Sequence, residues 1–282
     1  MKKLAVPLFL WLLFEAIAVT LWLALDNLFY LINFSYIGSC LALGIFLYSK
    51  KVRFARNLVQ AAVGLYMLVY LGIFSNENMQ IEGFWYYLFL GVFEAAVIHY
   101  LVAKLLGPFL FGRGWCGYAC WTAMVLDLLP YKTLRQDARD DQELRKKRLG
   151  YIRYLVFLTS LLFVGALFVF RVPNLERVML YSFLIGNALY YGTGILLAFL
   201  LKDNRAFCKY ICPITVFLKP ASYFSLLRVK LDKDKCVSCG KCLKACPMQV
   251  DMLDASRSRC NGTECILCLE CIRECPKQAL HL

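Results

Sequence analysis

Six stretches of this sequence stay apolar for about 20 residues each, the length an α-helix needs to cross a hydrocarbon core of about 30 Å. They lie near 4–25, 28–48, 54–74, 84–107, 152–171 and 178–201. Backbone N–H and C=O groups find no partner in lipid, so each stretch is expected as a helix whose hydrogen bonds are internal. With 61% hydrophobic residues the chain is far more apolar than an ordinary soluble domain. The expected fold class is an all-α integral membrane bundle of about six transmembrane helices.

Basic residues set the orientation. Lys2 and Lys3, then Lys50, Lys51, Arg53 and Arg56, the run from Arg135 to Arg153, and Lys202 with Arg205 all fall on one side of a six-span arrangement. The other side holds Asp26, Glu77 and Glu82, with only Arg171 and Arg177 between the last two spans. Both termini are therefore expected in the cytoplasm and the protein in the cytoplasmic (inner) membrane, with its positive loops against lipid headgroups. The net charge of +13 follows from this asymmetry, and nucleic acid is not an expected partner. The first stretch resembles a signal peptide at "MKK" and at Ala16-Ile17-Ala18, but its apolar run is too long, and it is read as an uncleaved span.

After Tyr223 the long apolar runs stop and cysteines cluster. "CVSCGKCLKACP" (Cys236, Cys239, Cys242, Cys246) and "CILCLECIRECP" (Cys265, Cys268, Cys271, Cys275) both have the spacing C-x2-C-x2-C-x3-C-P. Three thiolates of such a run converge on one iron–sulfur cubane and the fourth, expected to start a helix, reaches the other cluster. One [4Fe-4S] cluster is thus assigned to Cys236, Cys239, Cys242 and Cys275, the other to Cys265, Cys268, Cys271 and Cys246. A disulfide scaffold does not suit a reducing compartment, and tetrahedral zinc does not account for two identical four-cysteine runs. Residues 228–282 are therefore expected to form a cytoplasmic α+β ferredoxin domain with two clusters. Residues 1–53 would be a transmembrane helix pair and 54–227 a four-helix membrane core.

That core carries two further cysteine pairs, each after a span: Cys116 and Cys120 in "FGRGWCGYACW", Cys208 and Cys212 in "AFCKYICP". Two helix pairs, each followed by C-x3-C, read as a parallel internal repeat about an axis along the membrane normal. Such symmetry brings the motifs face to face, and residues four apart share a face of a helix. The four thiols are the expected ligands of a third iron–sulfur centre, with Arg113, Arg205 and Lys209 placed to offset its negative charge. A redox-active disulfide or plain packing are the competing readings for these thiols. Cys40 is read as core and Cys260 is left unassigned.

Haem is not expected from a chain whose only histidines are His99 and His281. Ionisable groups at membrane depth are costly and usually functional. Glu94 and His99 are the candidates for contacting a quinone, with Glu15 and Lys104 beside them. Their structural alternatives are a snorkelling Lys104, a His99 that caps a carbonyl and a Glu15 paired with another helix. The aromatic residues Trp85, Tyr86 and Tyr87 read as an interfacial belt. Lys235, Lys241, Lys244, Arg273 and Lys277 near the clusters suit an acidic soluble redox partner.

Together "GRGWCGYAC", "FCKYICP" and the tandem ferredoxin runs resemble the membrane-bound polyferredoxins of the NapH/NosR type, 4Fe-4S quinol dehydrogenase membrane components, over about residues 54–282. Trp121 stands where that family usually has proline, and the first helix pair is additional. The resemblance implies electron transfer between a quinone pool or a partner subunit and other redox carriers, as a component of an oxidoreductase. An accessory metal reductase or a metal-cofactor maturation protein is the alternative, and a mere membrane anchor for the ferredoxin is a third reading.

Overall fold

A computed structural model of the protein describes residues 2–52, 54–93, 95–131, 148–253 and 262–282. Arg53, Glu94, most of the basic run 135–153 and Cys260 lie outside them. Helices α1 (Lys2–Leu25) and α2 (Leu28–Ser49) form a hairpin, with Asn27 as N-cap accepting the Phe29 N–H at 2.9 Å. Trp11 donates to Ser39 at 3.2 Å and Ser35 donates to Glu15 at 2.7 Å. Glu15 is thus partnered across the hairpin, as a polar group among apolar helices must be.

Helix α3 (Ala55–Leu65) runs on as a π-helix over Tyr66–Phe74. Next come α4 (Ile81–Leu90) and α5 (Ala95–Tyr100), a π-helical stretch Leu101–Leu106, and α6 (Gly107–Phe111). The sequence suggested a single span over 84–107, and the structure corrects this. Gly91 takes φ +70, and a Schellman closure forms as its N–H bonds to Leu88 and that of Val92 to Tyr87. That closure ends α4, so the chain restarts as the shorter apolar helix Ala96–Phe111.

The first cysteine motif follows on α7 (Gly114–Tyr118) and α8 (Trp121–Leu126). The long helices α9 (Ile152–Val169) and α10 (Leu175–Leu201) lead to the second, on α11 (Ala206–Tyr210) and α12 (Thr215–Tyr223). Among the described residues five helices are long and apolar enough to cross a membrane: Ala5–Leu25, Leu28–Ser49, Ala55–Phe74, Ile152–Val169 and Leu175–Leu201. Leu155, Leu162, Leu189 and Phe199 on α9 and α10 are exposed, the pattern of a lipid-facing surface.

The C-terminal residues hang on the membrane part through N–H bonds from Leu226 and Leu227 to the carbonyls of Phe109 and Leu110, at 2.9 and 2.8 Å. Strands β1 (Lys230–Leu231) and β2 (Leu280–His281) then pair antiparallel, with Leu231 opposite Leu280. The helical turns α13 (Lys241–Ala245) and α14 (Glu270–Arg273) lie between them. Val229, Met248, Val250, Ile266 and Leu280 pack in one apolar core with Leu218 and Cys116 of the membrane part.

A Cβ at Gly91 would meet nothing within 4 Å, so a substitution there is opposed by backbone conformation alone. Gly91→Ala should cost about 1 kcal/mol and Gly91→Asn less, because Asn tolerates the left-handed region. Thermal unfolding of the detergent-solubilised variants would measure both.

Candidate metal centres

Pairing of β1 with β2 folds the ends of the C-terminal domain together and lays its cysteine runs side by side. A cavity of about 340 Å3 is lined by Cys236, Cys239 and Cys242 of the first run and Cys275 of the second. Another, of about 280 Å3, is lined by Cys265, Cys268 and Cys271 of the second run and Cys246 of the first. Among the described residues no three His, Cys, Asp or Glu side chains stand close enough to hold one metal ion. Four thiols around one cavity, set too far apart to share a single ion, fit a polynuclear cubane and not one zinc ion with ligands at about 2.3 Å.

The two runs share a backbone. Positive φ at Ser238, Gly240 and Gln249 recurs at Leu267, Leu269 and Gln278, the equivalent positions of the second run. Left-handed backbone at residues other than glycine costs on the order of 1–3 kcal/mol and persists only where the surroundings impose it. Each fourth cysteine follows a helical turn instead of starting one: Cys246 is extended directly after α13, and Cys275 comes after α14. Pro247 and Pro276 explain this, since the residue before a proline is driven out of the helical region. The Val250 N–H then donates to Cys246 Sγ at 3.4 Å and the Ala279 N–H to Cys275 Sγ at 3.3 Å. Burial pushes the Cys268 thiol up to about 12, Arg56 opposes the rise, and Cys246 and Cys265 add to it.

In the membrane part, Cys116 lies in α7 but Cys120 is extended beyond its end, and Cys212 likewise lies beyond α11, which holds Cys208. The two thiols of each motif therefore do not share one helix face, as the spacing had suggested. All four still lie within electrostatic reach of one another. Burial raises Cys212, and Cys208, Cys116 and Cys120 raise it further. Burial also lifts Cys208 to about 11, with Cys120 and Cys116 adding to the rise and Arg205 and Arg113 opposing it. Cys120 is raised by burial and then by Cys116.

Both motifs read R-x2-C-x3-C, with Arg113 and Arg205 just ahead of their helical turns and both fully buried. Each arginine crosses to the opposite motif. Arg205 donates to the Cys116 carbonyl at 3.1 Å, and Arg113 donates to the Cys208 carbonyl at 3.3 Å. Arg205 grips Asp127 by two N–H groups at 2.7 and 2.5 Å, while Arg56 donates to Asp127 at 2.5 Å and to the Gly117 carbonyl at 3.3 Å. Burial alone would raise the Asp127 carboxyl, yet Arg205 and Arg56 hold it below the usual range.

Arg113 finds its counter-charge in the C-terminal domain, at Glu264 beside Cys265, at 2.6 Å, and Lys219 donates to the same carboxylate at 2.5 Å. Gly117 lies flat on the Cys265 loop, where a Cβ would stand 2.4 Å from the Ile266 carbonyl oxygen. On the second motif Lys209 pairs with Asp203 at 2.6 Å, and Gln249, three residues after Cys246, donates to that carboxylate at 3.3 Å. The cavity of the Cys265 run thus faces the membrane motifs.

His99 is buried, with its ring edge-on to Trp115 at 4.9 Å and Nε2 without a hydrogen-bond partner among the described residues, so it caps none of their carbonyls through that atom. Lys104 is also buried, its ammonium 4.8 Å from the Trp115 ring, and does not snorkel. Cys40 is half-buried against the core of the first helices. Asp127, Arg56 and Glu264 escaped the sequence reading as site residues. An acid within the apolar stretch "AMVLDLLP" was a signal for the first, and the repeated R-x2-C was a signal for the arginine pair.

Residues 228–276 match the family model of a 4Fe-4S dicluster domain, and residues 96–150 and 180–233 each match that of a 4Fe-4S binding domain. The two latter matches carry the two C-x3-C motifs. The chain is 26% identical to an uncharacterized protein of Methanocaldococcus jannaschii, covering 82% of this chain and 86% of the relative. It is 28% identical to the methylamine utilization ferredoxin-type protein MauN of Paracoccus denitrificans, over 48% of each chain. It is also 28% identical to the protein RdxB of Cereibacter sphaeroides, over 57% of this chain and 42% of that one. No solved structure matches the chain significantly. The protein carries 4Fe-4S ferredoxin-type domains, the equipment of electron transfer, joined to apolar helices of membrane length.

Asp127→Asn would leave Arg205 buried without its counter-charge, and Arg56 with only Glu270 at 3.8 Å, and should cost about 3–5 kcal/mol. A drop in the thermal midpoint of the solubilised protein would measure it. Glu264 offers a pH test: burial would raise it, but Arg113 and Lys219 hold its pKa at about 2, below the ordinary 4.5. The stability its ion pairs contribute is present above pH 4.5 and lost as pH falls toward 2. The difference in stability between wild type and Glu264→Gln should therefore vanish over that range.

Proposed function

We propose that this chain is a membrane-bound iron–sulfur electron-transfer protein of the NapH/NosR type, crossing the cytoplasmic membrane six times, by its five long apolar helices and by the broken stretch 81–111, with both termini in the cytoplasm. Cys236, Cys239, Cys242 and Cys275 hold an outer [4Fe-4S] cluster, and Cys246, Cys265, Cys268 and Cys271 hold an inner one. Cys116, Cys120, Cys208 and Cys212 hold a third iron–sulfur centre between the repeated motifs. Such clusters supply one-electron chemistry when bound.

The observation that carries this reading is the reciprocal crossing of Arg113 and Arg205, each holding the carbonyl of the opposite first cysteine. It ties the two halves into one site, and the buried guanidinium charges lower the cost of collecting four thiolates there. The flat contact of Gly117 on Ile266 supports the order outer cluster, inner cluster, membrane centre. At the membrane end the electrons exchange with the quinone pool or a partner subunit. His99, whose Nε2 has no hydrogen-bond partner among the described residues, is the candidate for a hydrogen-bond contact to a quinone beside that end.

Iron and labile sulfide counted per chain test the proposal. The wild type should hold about ten to twelve irons, and Cys116→Ser with Cys208→Ser about eight, the content of two cubanes. About eight irons in both proteins would remove the third centre from the proposal.

A further inference from the structure

The two cavities of the C-terminal domain differ in what surrounds them. The inner one is closed off by the first membrane motif through Gly117 on Ile266 and Arg113 on Glu264. The outer one opens outward: Cys239 is exposed, and Val237 beside it is 58% exposed at the tip of the loop. Lys235, Lys241 and Lys277 line this outer cavity, all three exposed, with Lys233 and Lys244 exposed next to them. The acids nearby are Asp232, which pairs with Lys235 at 2.5 Å, Asp234, and Glu274, which pairs with Arg273. Lysines therefore outnumber acids on this edge, and Lys241 and Lys277 have no ion-pair partner among the described residues.

We propose that the edge formed by Lys235, Lys241 and Lys277 around the apolar tip Val237 is the docking port for a small acidic one-electron carrier. An exposed apolar residue inside a ring of lysines has the layout of a transient redox interface, in which charge steers the encounter and a small dry centre fixes the approach. One electron passes between the carrier's cofactor and the cluster that Cys236, Cys239, Cys242 and Cys275 would hold. One of the two is oxidised and the other reduced by that electron, and no bond or proton is exchanged. This inference rests on the proposal that those cysteines hold a cluster, but the lysine edge can be tested apart from it.

The probe is a flavodoxin, an acidic flavin protein, used oxidised so that binding is read without electron transfer. Its affinity for the whole detergent-solubilised protein is measured at several salt concentrations. Carbodiimide, which joins carboxylates to lysines in contact, then maps the surface. Wild type should bind, more weakly as salt rises, and cross-link through Lys235, Lys241 or Lys277. The triple variant Lys235→Glu, Lys241→Glu, Lys277→Glu should bind roughly tenfold more weakly or worse with unchanged iron content. The control Arg171→Glu with Arg177→Glu should bind as the wild type does. Equal binding by wild type and triple variant, no binding by wild type, or an equal loss in the control would overturn the port. A wild type that binds through these lysines but holds no iron would leave the port standing and defeat the cluster proposal.

Discussion

Everything at the centre of this molecule depends on keeping several arginines away from water. Arg113 and Arg205 are fully buried, and a guanidinium cannot shed its charge to escape the cost. Asp127 solves the problem for Arg205 and Arg56 together, taking two N–H groups from the first and one from the second. With their charge answered from behind, the remaining donors are aimed at the backbone of the cysteine motifs. The backbone of the first cysteine motif is thus gripped by two arginines anchored on one carboxylate that is not itself among the ligands.

The two halves solve the same problem differently. The counter-charge of Arg205 comes from the end of α8, inside the membrane part, whereas that of Arg113 comes from Glu264 in the C-terminal domain. A repeat with local symmetry thus has one side completed by another part of the chain. Gly117 lies on that same side, and its missing side chain lets two backbones meet. Docking and charge compensation therefore coincide, and the Arg113–Glu264 pair adds a specific contact to the apolar core that the C-terminal domain shares with Leu218 and Cys116.

Much of this was legible in the sequence where the information is local. Helix length and hydrophobicity mark the spans at Leu28–Ser49 and Leu175–Leu201 almost residue for residue, because a helix satisfies its own backbone. The spacing of the two ferredoxin runs foretells which four cysteines line each cavity, since a tight loop leaves the fourth no other reach. The break at Gly91 was missed because one apolar window hides a single left-handed residue. The ends of α7 and α11 were missed because a C-x3-C spacing allows one helical turn as readily as two. The ion network was hidden for a different reason. Its partners stand 71, 78 and 151 residues apart, and no local pattern pairs Arg56 or Arg205 with Asp127, or Arg113 with Glu264.

Equal spacing does not make equal sites. The inner run holds Cys268 and Cys271 buried, with Arg56 opposing the rise of the Cys268 thiol, while the outer run exposes Cys239 and keeps its lysines in water. Solvent exposure, nearby charge and N–H contacts to sulfur are what set the potential of a thiolate-bound cluster. Each run has the same N–H contact to its fourth cysteine, so the runs are alike at that point. The runs differ in burial and in the charges beside them, Arg56 on the inner side and Lys235, Lys241 and Lys277 on the outer. Two copies of one loop thus become inequivalent because only one of them is pressed against the buried arginines.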